Sequence, residues 1–345
     1  VLGLPFALSV VATGTGPLAY QWFKDGTALA GATSPTYSVG AATAATGGNY
    51  TVRISGPQGT LNSDAVTIAV EPPRPGRLVN LSVRTTAGTG AGTLIVGFNV
   101  AASGTTRKPL LLRAIGPTLG AFGLTDHLAD PQLAVFAGST QLATNDNWGG
   151  VAAIAAAASR LGAFALDAVS RDAALLQDLP PGGYTVQVTG AGTTGVALAE
   201  IYDADPADAA SAPTVGRLVN LSARAPVGTG GNLLIAGFAL SGNVPRQVLL
   251  RAIGPALAGF GVSGVLANPR LELYRGTTLT QSNDNWGGGS TLSTLFSQVG
   301  AFALNSPSSL DAALLVTLLP GSYTAQVSGV NNTTGVALVE VYEVP

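Results

Sequence analysis

Gly76-Arg77-Leu78-Val79-Asn80-Leu81-Ser82 returns letter for letter as Gly216-Arg217-Leu218-Val219-Asn220-Leu221-Ser222. The match continues from Leu111-Leu112-Arg113-Ala114-Ile115-Gly116-Pro117 to Leu249-Leu250-Arg251-Ala252-Ile253-Gly254-Pro255. It runs on from Asn145-Asp146-Asn147-Trp148-Gly149-Gly150 to Asn283-Asp284-Asn285-Trp286-Gly287-Gly288, and closes with Gly195-Val196-Ala197-Leu198 and Gly335-Val336-Ala337-Leu338. The offset is 140 residues at both ends and 138 in the middle. That period is too long for a solenoid unit, so the expectation is two tandem domains of one kind, 76–203 and 216–345, preceded by a third at 1–71.

Within each copy the pattern is that of strands. Val79, Leu81 and Val83 alternate with polar neighbours; Leu94, Val96, Phe98 and Val100 share a face; Tyr184, Val186 and Val188 do the same after the turn Pro180-Pro181-Gly182-Gly183. One short helix is expected per copy. Leu292, Leu295, Phe296 and Val299 stand at i, i+3, i+4 and i+7, with Ser290 as cap and Gly300 as stop. Ile154, Ala157, Ala158 and Leu161 hold the matching places before Gly162, and a shorter helical turn is expected after Pro117 and Pro255. The fold class is all-β: jelly-roll-like antiparallel sandwiches, each with a helix over one end.

Residues 1–71 read as short strands with turns at Gly14-Thr15-Gly16-Pro17 and Asp25-Gly26. With Trp22 in a strand and Tyr50 in Gly48-Asn49-Tyr50-Thr51-Val52, this segment resembles a bacterial immunoglobulin-like domain. The resemblance implies Trp22 as the core tryptophan, Tyr50 as the corner tyrosine, and Val10 and Val52 at the places of the family's disulfide. A start at Val1 leaves little room for a full first strand, so the expectation is either a domain that begins upstream or an edge open to a neighbouring chain. The repeat is similar to the bacterial pre-peptidase C-terminal sandwich in its Asn-Asp-Asn-Trp turn, its Pro-Gly-x-Tyr-Thr strand start and its Gly-Val-Ala-Leu closing strand. Both resemblances imply large multidomain proteins exported by bacteria. Between the domains, Glu71-Pro72-Pro73-Arg74-Pro75-Gly76 is expected to be extended and semi-rigid, and the stretch from Asp203 to Thr214 looser.

Charged residues make up 10% of the chain and hydrophobic ones 46%, with a net charge of −2. Weak repulsion between molecules makes close subunit packing inexpensive, and a soluble secreted stalk with a neutral Thr/Gly surface fits the same composition equally well. The lack of a basic cluster argues against nucleic acid, and no apolar run has the length of a membrane span. Cysteine is absent, which removes disulfide and thiol chemistry.

The clusters Asn145, Asp146, Asn147 and Asn283, Asp284, Asn285 are candidate calcium ligands, with Asp172 and Asp311 as further carboxylates. An Asx-turn that seats Trp148 or Trp286 in the core is the favoured alternative. No other cofactor is indicated. Arg113 and Arg251 lie inside apolar runs, Glu200 and Glu340 in the closing strands, so each arginine is expected to pair with a carboxylate of its own repeat rather than line a ligand cleft. His127 is the chain's single histidine and has no counterpart in the second copy. Without a second histidine, a cysteine or a Gly-x-Ser-x-Gly turn, catalysis is not expected. The loops Gly88–Gly92 and Gly228–Gly231 lack the lysine of a phosphate cradle and read as hairpins. Asn49, Asn80, Asn220 and Asn332 begin glycosylation-type triplets.

These features point to a noncatalytic extracellular or cell-surface protein of a bacterium, a subunit of a filament, sheath or layer that polymerises with itself, in part by strand addition. The alternative is an adhesive or carbohydrate-binding appendage of a larger exported protein, for which exposed Tyr20 or Tyr274 would be the sugar platforms.

Overall fold

The computed structural model describes residues 1–101, 107–205, 216–304 and 306–345. The chain forms two compact units, Val1–Arg74 and Pro75–Pro345. Both repeats therefore lie within one body, and the expected boundary between 76–203 and 216–345 does not separate two domains.

The first unit is an immunoglobulin-like arrangement of short strands: β1 (Phe6–Ser9), β2 (Ala19–Lys24), β3 (Thr27–Ala28), β4 (Thr36–Val39), β5 (Gly48–Gly56), β6 (Gly59–Asn62) and β7 (Val66–Ile68). One sheet has the order β3-β2-β5-β6 with β7 also on β5, and β1 pairs with β4 in the other. Asp25 and Gly26 both take positive φ, 49° and 79°, which closes the β2–β3 hairpin as a primed turn. Trp22 and Tyr50 are buried. The Trp22 indole donates to the Ser34 carbonyl at 2.9 Å, and the Tyr50 hydroxyl reaches back four residues to the Thr46 carbonyl at 2.7 Å. Val52 is buried while Val10 is half-exposed, so the two valines do not share the burial of a disulfide pair.

In the second unit the first repeat contributes β8 (Arg77–Ala87), β9 (Leu94–Ala101), β10 (Lys108–Ile115), β11 (Pro131–Ala137), β12 (Thr140–Asn145), α1 (Ala152–Arg160), β13 (Ala173–Leu179), β14 (Gly182–Gly190) and β15 (Gly195–Asp203). The second repeat supplies the same series: β16 (Arg217–Val227), β17 (Leu234–Ser241), β18 (Arg246–Ile253), β19 (Pro269–Arg275), β20 (Thr278–Asn283), α2 (Ser290–Gln298), β21 (Ala312–Leu318), β22 (Gly321–Gly329) and β23 (Gly335–Glu343). Six-residue 3-10 segments, Pro117–Phe122 and Pro255–Phe260, follow Gly116 and Gly254, with proline at their first position.

The leading strand of each repeat is shared, which is why the repeats do not separate. β8 pairs on one edge with its own β15 and on the other with β17 of the second repeat. β16 pairs with its own β23 and with β9 of the first repeat. All these ladders are antiparallel, and Leu78 faces Leu218 where the two shared strands meet. Edges that separate sandwiches would leave open are covered by the other copy.

Sharing also explains a shift in parity. In the β8–β17 ladder Asn80 faces Ala239 and Leu78 faces Leu240, so Val79 is an extra, bulged residue. Val219 holds the same place in β16. A bulge reverses the alternation beyond it, so Leu78 and Leu218 enter the core and Val79 and Val219 do not, contrary to the pattern read from sequence. From Leu81 onward the expected face holds, as it does for Leu94, Val96, Phe98 and Val100 in β9.

The helix in the second repeat begins one residue earlier than expected. Gly289 is the cap and Ser290 the first helical residue, while Gly300 at φ 73° ends the segment. The linker segment 206–214 lies outside the described residues. Asp203 is no part of a loose linker: it is buried in β15, with the Lys108 ammonium 2.5 Å from its carboxylate.

Candidate functional site

At the centre of each repeat lies a buried charge pair set by strand register. β10 places Arg113 opposite Glu200 of β15, and β18 places Arg251 opposite Glu340 of β23. The Arg113 Nε donates to Glu200 at 2.7 Å, Nη2 stands 2.6 Å from the same oxygen, and Nη1 donates to the Phe164 carbonyl at 2.6 Å. Tyr202 donates its hydroxyl to the other Glu200 oxygen at 2.9 Å. Arg251, Glu340, Phe302 and Tyr342 repeat the arrangement at 2.7, 2.6, 2.7 and 2.7 Å. Burial, and after it the adjacent carboxylate charge, push the phenols of Tyr202 and Tyr342 far above the usual tyrosine range. The chemistry of this centre is committed inward: each carboxylate is neutralised by a cation that is itself held through Nε and Nη1.

The Asn-Asp-Asn-Trp turn is a clasp beside that centre. Asn145 accepts the Ala174 N–H at 3.0 Å and donates to the Asn147 carbonyl at 3.0 Å, which ties the turn to β13. Asn283 accepts from Ala313 at 3.0 Å and donates to Asn285 at 2.9 Å. Trp148 and Trp286 are buried, and their indoles donate to the carbonyls of Asp167 at 2.8 Å and Ser306 at 3.1 Å. Asp146 and Asp284 are exposed. The carboxylates of Asp172 and Asp311 are not brought to these turns. Asp172 accepts the Gly116 N–H at 2.7 Å, the Ser170 hydroxyl at 2.7 Å and the Thr118 hydroxyl. Asp311 accepts the Gly254 N–H at 2.7 Å and the Ser309 hydroxyl. Among the described residues, no group of three or more His, Cys, Asp or Glu side chains is gathered at one point.

His127 forms a bridge with Val196, and its Nδ1 is buried without a hydrogen-bond partner. Of the four glycosylation-type asparagines, Asn220 is buried inside β16 and accepts from the Asn99 amide at 3.0 Å, while Asn49 and Asn332 are exposed. Tyr20 and Tyr274 are half-buried, and Tyr274 donates to Glu272 at 3.0 Å.

Glu343 escaped the reading of the sequence. Buried at the end of β23, it accepts the backbone N–H of Leu78, in the other repeat, at 2.6 Å. Arg246 and Arg217 approach its second oxygen at 3.4 and 3.5 Å. Burial raises its pKa, against the opposing pull of the Leu78 N–H and the arginines. The available signal was the position itself: Tyr202-Asp203 and Tyr342-Glu343 put an acid at the same place in both copies.

A cavity of about 300 Å³ lies over Arg113 and Trp148, beside α1. At the surface, Phe122 and Phe260 are exposed at matching places and rest edge-on against Phe164 and Phe302, with ring centroids 5.1 and 4.8 Å apart. No described helix is long and apolar enough to cross a membrane.

No protein-family model matches the chain. Over 76 residues it is 38% identical to a decoration protein of Escherichia phage T5, a match that covers 21% of this chain and 46% of that protein. The chain thus spans less than half the length of this relative. Among solved structures, a fragment of the titin I-band is 11% identical, with 98% of this chain and 92% of that one covered at a TM-score of 0.20. The three N-terminal domains of the Highly Immunogenic Outer Capsid protein of bacteriophage RB49 are 13% identical, with 100% and 91% covered at 0.20. At these TM-scores neither likeness bears on the fold or role of this chain.

Proposed function

We propose that this chain is a noncatalytic structural protein that decorates the outer surface of an assembled phage particle. The observation that carries the reading is the 38% identity over 76 residues to a phage decoration protein. The site chemistry supports it: the paired arginines and carboxylates are buried and spent on structure, and Asp172 and Asp311 serve backbone N–H groups rather than a reaction. The near-neutral surface suits a protein held at high density beside its own copies.

The test is co-sedimentation with phage T5 particles freed of their own decoration protein. Saturable binding, displaced by the T5 decoration protein, is the expected outcome; a chain that stays in the supernatant at every particle concentration refutes this role. A homopolymeric filament or sheath outside a bacterial cell is the second reading, favoured by β1, whose strand pairing among the described residues is with β4 alone. Regular filaments of the isolated chain in negative-stain electron microscopy would decide for it.

A further inference from the structure

The two repeats differ at one place where the second fills a space that the first leaves open. In α2, Phe296 is 1% exposed. Its ring centroid lies 5.6 Å from that of Trp286 and 4.6 Å from the Arg251 guanidinium carbon. In α1 the residue at the matching place is Ala158, which has no ring to offer. The rest of the receptor is retained. Arg113, Trp148, Ala163 and Leu166 stand where Arg251, Trp286, Ala301 and Leu304 stand in the second copy. These four, with Ala155 and Ala158, line the cavity of about 300 Å³. A dry engineered cavity of about 150 Å³ is enough to bind benzene.

We infer that this cavity is a binding site for one small monocyclic aromatic molecule, which takes the place that the Phe296 side chain holds in the second repeat. Three observations fix that chemistry. The guanidinium of Arg251 has two aromatic rings close by, Phe302 at 4.5 Å and Phe296 at 4.6 Å, whereas Arg113 has Phe164 at 4.4 Å and, among the described residues, otherwise only Tyr202, at 5.9 Å. A cation favours the face of an aromatic ring over a saturated one. The Trp148 indole and the alanine and leucine side chains supply an apolar wall, so an uncharged ring fits. Finally, Arg113 is buried and fixed by Glu200 and the Phe164 carbonyl, so the receptor is preformed and the ligand bears no cost of ordering it.

The experiment is a titration of the full chain with toluene, followed at the tryptophan indole N–H signals by nuclear magnetic resonance. The chain has three tryptophans, so Trp148 reports the site while Trp286 and Trp22 serve as controls. The expected result is a saturable shift of the Trp148 signal alone, with cyclohexane weaker by about threefold or more. Ala158→Phe should abolish the shift, and Phe296→Ala should create a second response at Trp286. The Phe296→Ala arm and the native chain keep the test decisive if Ala158→Phe does not fold. The inference is overturned by an unmoved Trp148 signal, by equal shifts at Trp148 and Trp286 in the native chain, by equal binding of cyclohexane, or by a folded Ala158→Phe variant that responds as the native chain does.

Discussion

Gly237 of β17 faces Ser82 of β8 across the ladder that joins the repeats, 155 residues apart in sequence. A Cβ at Gly237 would stand 2.5 Å from the Ser82 hydroxyl oxygen; the next atoms are the Ser82 Cβ at 3.9 Å and the Tyr323 carbonyl at 4.0 Å. The clash of Gly237→Ala is therefore with one oxygen, which must rotate away from the Gly237 carbonyl it now approaches at 3.4 Å. Forced repacking of this kind costs about 1–3 kcal/mol, offset by about 0.5–1 kcal/mol because alanine loses less backbone entropy than glycine in a strand. The net expectation is a loss of about 0.5–2 kcal/mol. Removal of the oxygen by Ser82→Ala should relieve the clash, so that the double variant is at least as stable as Ser82→Ala alone and the coupling energy is about 1–3 kcal/mol. Urea unfolding in a Trp22→Phe background restricts the fluorescence to Trp148 and Trp286, both in the second unit. Additive effects of the two substitutions would refute the shared strand.

Glu343 gives a prediction in pH. Its folded pKa is raised above the ordinary 4.5, mainly by burial, so the native chain binds more protons than the unfolded one between 4.5 and the raised value. Its contribution to stability is fully present below 4.5 and is lost as pH rises through the folded pKa; in Glu343→Gln the difference from the native chain should trace that window, as urea midpoints measured across pH would show. Arg113→Ala leaves the buried Glu200 carboxylate unpaired and should cost about 3–5 kcal/mol, whereas the pair replacement Arg113→Met with Glu200→Leu should cost far less, again by urea unfolding. In a spectrophotometric titration to high pH, Tyr202 and Tyr342 should stay protonated while the chain is folded. Because the unfolded chain loses those protons near pH 10, stability should fall as pH rises above that value, and both phenols should ionise together with unfolding.

Strand faces are the legible part of the fold, because burial of alternate side chains leaves its record in composition: Leu94, Val96, Phe98 and Val100 lie in the core as their spacing demands. Partners along a strand's edge leave no such record, since backbone groups pair with any sequence. That is why the exchange of β8 and β16 is invisible in the letters and why alternation alone puts Val79 on the wrong face: its bulge exists only in the ladder with the other repeat. For the site, an arginine in an apolar run announces the need for a carboxylate, but only register identifies Glu200 as the partner of Arg113. Asp172 and Asp311 look like free acids in the sequence because their acceptor role depends on the loops at Gly116 and Gly254, more than fifty residues away. The difference between Ala158 and Phe296 stands in the two copies side by side, yet the space it leaves is a property of the assembled walls.

The shared strands also set a clock. Ser82 leaves the ribosome 155 residues before Gly237, the residue it faces. At about 5–20 residues per second that is a wait of roughly eight to thirty seconds. Through that interval one edge of β8 has no strand to receive it, and a second nascent chain on the same message offers the same β17 sequence in trans. Synthesis at high density would then link neighbouring polypeptides through the ladder that normally closes within one, so slower initiation should raise the yield of monomer.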